Sequence, residues 1–464
     1  MNKPRAGILD AIDPATEKVF ATLPASSPAD VATVVQRARH ALETNSQWRT
    51  PALRAHTLYE MARLLRENAD ELALAECRDT GKPLAQGRDD VMMSAAYFTY
   101  YAGWVDKFGG RSIPLGSEFV DYTVREPWGV CGQIIPWNYP LQVTARCAAP
   151  AMAVGNAVVL KPSEQASVTP YRLMTLYQEA GLAEHMFNVV LGAGDVGSAL
   201  VGDPGVDHVT FVGSAAVGQR VAQQCLERYI PVELEMGGKS PSIVFEDADL
   251  DRAVPVIVRA LIQNAGQSCS AGSRVIIASS IYDQVIARLV EALAQLSVGP
   301  GEADFDLGPL ISPRQLEHAQ DMVARAREHG ARVVCGGKRP SALSSGWYLE
   351  PTLIDNVAAD AEIFQEEVFG PVLVASRFAN DDEAVTLAND SRYGLVAGVW
   401  TRDLRRAHAV ANRLEVGQVF VNSYGVGGGV AIPFGGLKRS GHARGKSEDA
   451  LLAYSRVKNI CIAL

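Results

Sequence analysis

Short apolar runs alternate with amphipathic segments from Val124 onward, and this alternation limits most strongly what the chain can fold into. The apolar runs have the length of buried strands, and the segments between them have helical spacing. We therefore predict strands at residues 129–136, 157–161, 187–191, 208–212 and 242–245. The intervening helices are predicted at residues 143–153, 170–180, 194–202 and 216–228. This order is typical of a doubly wound parallel sheet, so the predicted fold class is α/β.

Three further regions complete the predicted organisation. The first hundred residues are interpreted as helical, with helices at 29–42 and 53–77 and a stop at Gly81 and Pro83. A second alternating region covers residues 253–421, with strands at 274–277, 372–377 and 398–401. The tail, residues 454–463, alternates like an edge strand, which either pairs with another subunit or ends the sheet of one subunit.

Composition excludes several classes of protein. The chain has 464 residues and a net charge of −9, so it lacks the concentrated basic surface on which nucleic-acid binding depends. Seven cysteines without a CxxC pair argue against a disulfide framework and a structural metal site. There is no apolar run long enough to span a membrane and no secretory signal at the N-terminus, so we expect a protein of the cytoplasm, or of a compartment whose targeting sequence is absent here.

The most obvious nucleotide-binding motif is the GxGxxG run at residues 192–197. Such a run marks a pyrophosphate site when an acidic residue follows about 20 positions later, and that residue is missing here. Because the chain has 41 glycines, a single match is weak evidence, and a helix cap with a tight turn explains it equally well. We interpret the motif as a decoy, although Gly194 stays among the cofactor candidates.

A better candidate follows the next predicted strand, at Gly213 and Ser214. A glycine at the strand end and a serine at the helix start leave backbone N–H groups available for a phosphate. Ser214 is equally suited to a plain helix cap. Lys161 and Glu164 lie at the end of another predicted strand, where ribose hydroxyls bind in parallel sheets, although such a pair alone is more often a solvated surface charge.

Three residues have surroundings suited to covalent catalysis. Cys269 lies in a run of small polar residues that gives a thiol room and backbone donors, whereas most cysteines are inert and buried. Glu235 follows a strand-like segment and precedes two glycines, as a general base projecting into a cleft would, although most glutamates lie on the surface. Asn138 lies between prolines and aromatics, which suits an amide that stabilises an oxyanion or a simple turn.

Seven segments, in order along nearly the whole chain, resemble the aldehyde dehydrogenase superfamily. They are residues 136–140 (Pro-Trp-Asn-Tyr-Pro), 161–164 (Lys-Pro-Ser-Glu), 211–214 (Phe-Val-Gly-Ser), 235–239 (Glu-Met-Gly-Gly-Lys), 266–273 (Gly-Gln-Ser-Cys-Ser-Ala-Gly-Ser), 366–371 (Glu-Glu-Val-Phe-Gly-Pro) and 433–441 (Pro-Phe-Gly-Gly-Leu-Lys-Arg-Ser-Gly). The resemblance implies a Rossmann-type cofactor domain (1–105 and 128–237), an α/β catalytic domain (238–440) and a small β oligomerisation arm (106–127 and 441–464). It also implies a homodimer or homotetramer.

The resemblance assigns roles to the residues of these segments. Cys269 is the expected nucleophile, Glu235 the base that activates water, and Asn138 the oxyanion donor together with the Cys269 backbone N–H. The expected cofactor residues are Ile134, Ile135, Pro136, Trp137, Lys161, Ser163, Glu164, Gly194, Gly213, Ser214, Met236, Gly237, Glu367 and Phe369. Glu164 favours NAD, with NADP as a second possibility, because a carboxylate accepts hydrogen bonds from a 2′-hydroxyl and repels a 2′-phosphate.

The sequence departs from the family in the expected substrate tunnel. Many relatives carry a Trp-Lys pair a few residues after the asparagine, and the matching positions here are Arg146 and Cys147. The loop at residues 425–429 is rich in glycine where some relatives carry an aromatic residue. Few of the aromatics that would hold a quaternary ammonium are present, so betaine aldehyde is disfavoured. If Arg146 faces the tunnel, we expect an aldehyde with an acidic group; a surface arginine is equally compatible.

Three other functions remain open at this point. An acylating dehydrogenase would pass the thioester to coenzyme A, but Glu235 favours hydrolysis. A non-catalytic protein on this scaffold would be expected to lack the nucleophile, base or amide, and all three are present. A cysteine hydrolase needs a histidine partner, and none of the eight histidines lies in a recognisable motif.

Overall fold

The computed structural model of the chain describes residues 7–425 and 429–464. The first elements are β1 (Ile8–Asp13), β2 (Lys18–Pro24), α1 (Pro28–Thr44), α2 (Pro51–Glu67), α3 (Ala69–Thr80), α4 (Leu84–Ala102), β3 (Ser112–Ile113) and β4 (Phe119–Pro127). The helix predicted at 29–42 is confirmed as α1. The helical prediction is wrong for residues 8–24, because β1 and β2 pair as an antiparallel hairpin that buries Leu9 and Ala11 at alternate positions.

The predicted helix at 53–77 is two helices, α2 and α3, with a break at Asn68. The Asn68 side-chain amide donates to the Leu64 carbonyl at 2.8 Å and so takes an acceptor at the end of α2. The chain then restarts as α3, with Asp70 and Glu71 in the first turn, where the helix dipole favours acidic residues. The predicted stop is confirmed: α3 ends at Thr80, and Gly81 adopts the left-handed conformation with φ 82°.

The first parallel sheet is built from strands that alternate with helices, as predicted. Its elements are β5 (Val130–Ile134), α5 (Pro140–Val154), β6 (Ala157–Lys161), α6 (Val168–Glu179), β7 (Phe187–Val189), α7 (Gly194–Gly202), β8 (His208–Gly213), α8 (Ala215–Glu227) and β9 (Val232–Met236). The strand order is β7-β6-β5-β8-β9, and the four pairings between these strands are parallel. The order reverses between β5 and β8, so their carboxyl ends frame the crevice in which such sheets bind ligands.

A second sheet follows directly. Its region contains β10 (Pro241–Val244), α9 (Leu250–Ile262), β11 (Arg274–Ala278), α10 (Tyr282–Ala294), α11 (Pro313–Glu328), β12 (Arg332–Cys335), β13 (Thr352–Asp355), α12 (Glu362–Gln365), β14 (Val372–Phe378), α13 (Asp381–Asn389), β15 (Tyr393–Gly394), β16 (Val396–Trp400), α14 (Leu404–Ala411) and β17 (Gln418–Val421). The order is β12-β13-β14-β11-β10-β16-β17, and only the β12–β13 pairing among those described is antiparallel. The strand predicted at 242–245 lies in this sheet and not in the first.

The two sheets are joined end to end. β9 ends at Met236 and β10 begins at Pro241, so the carboxyl edge of the first sheet faces the amino edge of the second. Short 3-10 helices cover Ser46–Arg49, Gln263–Gly266, Ser279–Ile281 and Gly301–Ala303. Loops from both edges therefore meet between the sheets, and residues from both line the same cavity.

The last elements are β18 (Leu437–Lys438), α15 (Ser447–Ala453) and β19 (Ser455–Ala463). β19 pairs antiparallel with β4 over nine residues, from Ser455 opposite Pro127 to Ala463 opposite Phe119. It is an edge strand of a three-stranded sheet ordered β19-β4-β3, which confirms the edge-strand prediction for the tail. The domain boundaries at 105, 127, 237 and 440 stay a prediction.

Candidate active site

A cavity of about 780 Å³ lies between the two sheets. Eleven of the predicted site residues line it: Pro136, Trp137, Asn138, Gly213, Ser214, Glu235, Met236, Gly237, Cys269, Glu367 and Phe369. Six others stand outside its wall as the described residues define it: Ile134, Ile135, Lys161, Ser163, Glu164 and Gly194. The structure thus brings the three predicted catalytic residues together with one part of the predicted cofactor set.

Gly213 and Ser214 lie at the reversal point of the first sheet. Gly213 ends β8, and a Cβ there would lie 2.7 Å from the Phe211 ring, so a larger residue would disturb the strand end. Ser214 precedes α8, and no capping hydrogen bond to its side chain occurs among the described residues. The first backbone N–H groups of α8 therefore face the crevice without a side-chain acceptor from Ser214. Such free donors are what a phosphate site requires.

Gly194, by contrast, begins α7 after β7, which is an edge strand away from the reversal point. It is exposed, and no described atom lies within 4 Å of the place its Cβ would take. The strand order therefore favours Gly213 and Ser214 over the GxGxxG run as the pyrophosphate site.

Lys161 is the last residue of β6, the strand that pairs with β5. Its Nζ lies 3.4 Å from Glu164 Oε2, and burial lowers the pKa of this lysine. The Ser163 hydroxyl accepts from the Gln165 backbone at 3.3 Å, which shapes the turn after the strand. Ile134 pairs with Lys161 in the sheet, and the Ile135 N–H donates to the Lys161 carbonyl at 3.1 Å, so both residues fix the strand ends beside the crevice.

The loop that carries Cys269 is held by unusual backbone geometry. Asn264, Ala265 and Gly266 have consecutive positive φ values of 50°, 53° and 76°. A left-handed alanine costs about 1–2 kcal/mol, so the surrounding structure must hold it in place. A Cβ on Gly266 would lie 2.2 Å from the Gly370 carbonyl oxygen, which leaves no room for a side chain. This tight turn aims the chain so that Cys269 reaches the cavity.

Asn138 is tied to the same loop in both directions. Its Nδ2 donates to the Gln267 carbonyl at 3.0 Å, and Asn264 Nδ2 donates to the Asn138 carbonyl at 2.8 Å. Gln267 is fixed in turn, since its Oε1 accepts from the Ile311 N–H at 2.9 Å. An asparagine amide carries two N–H donors, so Asn138 retains a second one for a substrate oxygen next to Cys269.

The surroundings of Cys269 favour the protonated thiol. Burial raises its pKa to about 12, the nearby guanidinium of Arg146 opposes the rise, and the carboxyl groups of Glu367 and Glu235 add to it. Attack on a carbonyl requires the thiolate. The thiol must therefore lose its proton during the reaction rather than rest in the ionised form.

Glu235 lies within β9 and does not follow the strand, which corrects the sequence interpretation. Its Oε2 lies 2.5 Å from Nη2 of Arg146, and both side chains are more than nine-tenths buried. Burial raises the pKa of Glu235, whereas Arg146 and Lys446 oppose the rise. Arg146 thus lines the cavity, so the alternative of a surface arginine is wrong.

Glu367 and Phe369 also line the cavity. Glu367 Oε1 accepts from the Gly238 N–H at 3.2 Å, and a Cβ on Gly237 would lie 2.1 Å from Glu367 Oε2. Burial raises the pKa of Glu367 to about 8. The rings of Phe369 and Trp137 meet edge to face with centroids 5.2 Å apart. The two glycines therefore let a buried carboxyl approach the backbone beside an aromatic wall.

The sequence interpretation missed two residues next to Glu235. Lys446 lines the cavity, with its ammonium 5.5 Å from the Phe434 ring centroid and 5.8 Å from that of Tyr97. Gly445 lies against Glu235, since a Cβ there would be 1.8 Å from Glu235 Oε1. The only sequence signal was their position shortly after the motif at 433–441. Three of the five residues of the loop at 425–429, namely Val426, Gly427 and Gly428, lie outside the described residues.

The described residues contain no group of three or more His, Cys, Asp or Glu side chains placed to hold a metal ion. Among the same residues, no helix is both long and apolar enough to cross a membrane.

Comparison with known proteins gives the family. The model of the aldehyde dehydrogenase family matches residues 2–460. DhaS of Bacillus subtilis is 38% identical over 460 residues, which is 98% of this chain and 92% of DhaS. An NAD+ complex of aldehyde dehydrogenase from Bacillus cereus has a TM-score of 0.96 and 38% identity, covering 98% of this chain and 93% of that one. Betaine aldehyde dehydrogenase from Staphylococcus aureus has a TM-score of 0.96 and 35% identity, covering 99% and 92%.

The chain therefore belongs to the aldehyde dehydrogenase family. The resemblance seen in its motifs is confirmed, and so are the α/β fold with a Rossmann-type sheet and a second α/β region, and the class of enzyme.

Proposed function

We propose that this protein oxidises an aldehyde to a carboxylic acid with NAD+, through a thioester on Cys269 that water hydrolyses. The observation that carries the proposal is the convergence of Cys269, Asn138 and Glu235 on one cavity, into which the crevice of the first sheet opens. A nucleophile, an oxyanion donor and a base are the groups that acyl chemistry on sulfur requires.

The residues present fit a nicotinamide dinucleotide. Ser214 at the start of α8 suits the pyrophosphate, and Lys161 with Glu164 suits the adenosine ribose. The buried carboxyl of Glu367, held over Gly237 where no side chain fits, suits the hydroxyls of the second ribose. The pairing of Glu164 with Lys161 favours a 2′-hydroxyl, so we propose NAD as the preferred cofactor and NADP as the second. When bound, the cofactor supplies the acceptor for the aldehyde hydride.

Cys269 begins the chemistry by attacking the aldehyde carbon. A C–S bond forms while the thiol proton passes to solvent water, and the carbonyl oxygen takes the negative charge. The second N–H of Asn138 and the backbone N–H of Cys269 hold this oxygen, which stabilises the tetrahedral species. Loss of the hydride leaves a thioester on Cys269.

Glu235 serves the second half of the reaction. Water attacks the thioester carbon and gives a proton to the Glu235 carboxylate. The C–S bond then breaks, the acid departs, and the sulfur regains its proton. Burial raises the pKa of Glu235, which makes this carboxylate a stronger base than an exposed one.

We infer that the substrate is an aldehyde that carries an acidic group, which Arg146 and Lys446 would attract. Both cations line the cavity, and Arg146 already contacts Glu235. Burial lowers the pKa of Lys446 to about 8, which leaves it mostly protonated at neutral pH. Two cations also oppose a quaternary ammonium substrate, so betaine aldehyde stays disfavoured.

A homodimer or homotetramer in the cytoplasm is proposed, with β19 as the edge strand available for pairing.

Absorbance of reduced nicotinamide tests the proposal directly. We expect aldehyde-dependent reduction of NAD+ without coenzyme A, and a loss of at least a thousandfold in Cys269→Ser. A Cys269→Ser enzyme as fast as the native one contradicts the mechanism, and a requirement for coenzyme A would indicate an acylating enzyme.

A panel of acidic and neutral aldehydes tests the substrate class. Lys446→Met should reduce kcat/KM for acidic aldehydes at least tenfold relative to neutral ones. An unchanged ratio in both Lys446→Met and Arg146→Ala rules out the acidic class.

A further inference from the structure

The carboxylate of Glu235 is held by two parts of the chain at once. On one side its Oε2 meets Nη2 of Arg146, on α5, at 2.5 Å. On the other side, a Cβ added at residue 445 would lie only 1.8 Å from Glu235 Oε1. Only glycine at this position therefore leaves room for the carboxylate. The contact with Arg146 is buried, with 8% and 6% of the two side chains exposed.

Both oxygens of the Glu235 carboxylate lie against neighbours, Arg146 and Gly445. The close guanidinium favours the ionised form, so it opposes the rise that burial causes in the Glu235 pKa and makes the carboxylate a weaker base than it would be without Arg146. Breaking a buried ion pair costs several kcal/mol in general, so opening this contact has a substantial free-energy cost. The site at Gly445 and the contact with Arg146 thus define a resting position of Glu235.

We propose that Arg146 is a positioning residue that holds Glu235 in this resting position, with Gly445 providing the space, and that the contact opens before the thioester is hydrolysed. This inference rests on the function proposed above, since it concerns the base of that reaction. In the step concerned, water adds to the thioester carbon, its proton passes to the released Glu235 carboxylate, and the C–S electron pair returns to sulfur. No other reactant is needed.

Several charged or titratable groups surround Glu235 and contribute to its field. They are Arg146 and Cys147 on α5, Tyr97 on α4, Cys269 on the catalytic loop, Arg444 and Lys446 before α15, and Glu233 on the same strand. Arg146 makes a direct ionic contact with Glu235 at 2.5 Å. Its removal should therefore change the proton affinity of Glu235 more than removal of any other cation in the group.

The experiment measures hydrolysis of the acyl-enzyme as a function of pH. Enzyme is mixed with one equivalent of a neutral aldehyde and excess NAD+, and samples quenched at intervals are analysed by intact mass for the acyl group on Cys269. The variants are Arg146→Met, which removes the contact, and Gly445→Ala, which fills the resting site. Lys446→Met is the matched control, because it removes a cation from the same cavity wall without touching the contact. Arg146→Lys tests whether a cation alone restores the native pH profile of hydrolysis. Thermal unfolding shows whether each variant folds.

We expect the acidic limb of the hydrolysis profile to move to higher pH by about one to three units in Arg146→Met, the range by which one opposite charge displaces a carboxyl pKa. Gly445→Ala should shift the limb in the same direction, Lys446→Met by less than half as much, and Arg146→Lys at least halfway back. An unshifted limb in Arg146→Met or Gly445→Ala, or an equal shift in Lys446→Met, overturns the resting-position proposal. If no acyl group forms in the native enzyme, the proposed function itself fails, which is a different result.

Discussion

The ammonium of Lys82 lies 4.4 Å from the centroid of the Tyr139 ring, against the residue that follows Asn138. Lys82 is completely buried and pairs with Glu76 at 3.2 Å and with Asp90. Glu76 also accepts from the Thr169 hydroxyl at 2.6 Å, and its other oxygen lies 3.4 Å from the Leu141 N–H. A buried ionic cluster thus supports the turn that presents the oxyanion amide, and two of these residues, Asp90 and Tyr139, also line the cavity.

Lys82→Met should destabilise the protein and weaken oxyanion binding together. The substitution leaves Glu76 and Asp90 buried without their cation, and breaking a buried pair in this way costs about 3–5 kcal/mol. Thermal unfolding and kcat for one aldehyde are the measurements. Lys107→Met is the control, because Lys107 forms an exposed pair with Asp106, and no measurable change is expected there. If Lys82→Met unfolds like the native protein, the cluster does not support this turn.

The reactivity of Cys269 toward iodoacetamide should rise steeply with pH and should increase when Glu235 is neutralised. Burial raises the pKa of this thiol to about 12, so the thiolate fraction grows about tenfold per pH unit below that value. The Glu235 carboxylate adds to the rise, and Glu235→Gln therefore lowers the pKa and speeds alkylation. Peptide mass spectrometry counts the modified Cys269, with the exposed Cys461 as an internal reference. Slower alkylation in Glu235→Gln contradicts the electrostatic account.

The parts of the fold that follow from local sequence were predictable. Strands β5, β6 and β8 are apolar runs buried on both faces, and Gly81 ends α3, so periodicity and turn residues located them. The hairpin of β1 and β2 was missed because its stability comes from pairing and not from a strong local pattern. The break at Asn68 depends on one side-chain hydrogen bond inside an otherwise continuous helical pattern.

The site was predictable in its motifs but not in its pairings. The choice between Gly194 and Gly213 depends on strand order, which no local pattern contains. The contact of Arg146 with Glu235 joins residues on α5 and β9 that only the packed sheet brings together. Gly445 has no sequence signal beyond its position shortly after the motif at 433–441, because its importance is the space that its missing side chain leaves for a carboxylate.

Glu164→Gln should improve the use of NADP relative to NAD. Glu164 pairs with Lys161 at 3.4 Å, and the carboxylate repels a 2′-phosphate while Lys161 attracts it. Neutralising Glu164 removes the repulsion and leaves the lysine. We expect the ratio of kcat/KM for NADP to that for NAD to rise about tenfold, which corresponds to ~1.4 kcal/mol. Glu179→Gln, which changes an exposed carboxylate on α6, is the control, and an equal ratio in both variants would show that Glu164 does not select the cofactor.

The buried imidazole of His208 should make the fold sensitive to acid. His208 lies on β8 with its ring centroid 5.0 Å from that of Tyr454 and 6.3 Å from that of Trp128, and it is 1% exposed. Burial lowers its pKa to about 3, because the charged form loses its hydration. An unfolded histidine has a pKa of about 6.5, so the unfolded state binds a proton first as the pH falls.

The stabilisation is therefore complete above pH 6.5 and is lost toward pH 3, at about 1.4 kcal/mol per pH unit. Between pH 6.5 and pH 5 this single group should reduce the free energy of unfolding by about 2 kcal/mol. His208→Phe keeps an aromatic ring without a titrating group, so its unfolding midpoint in urea should fall less between pH 7.5 and pH 5 than that of the native protein. His40→Phe, at an exposed position on α1, should retain the native pH dependence. Because the comparison is between two pH values within each variant, any packing change that His208→Phe introduces cancels. An undiminished acid sensitivity in His208→Phe would show that other groups control the loss of the fold at low pH.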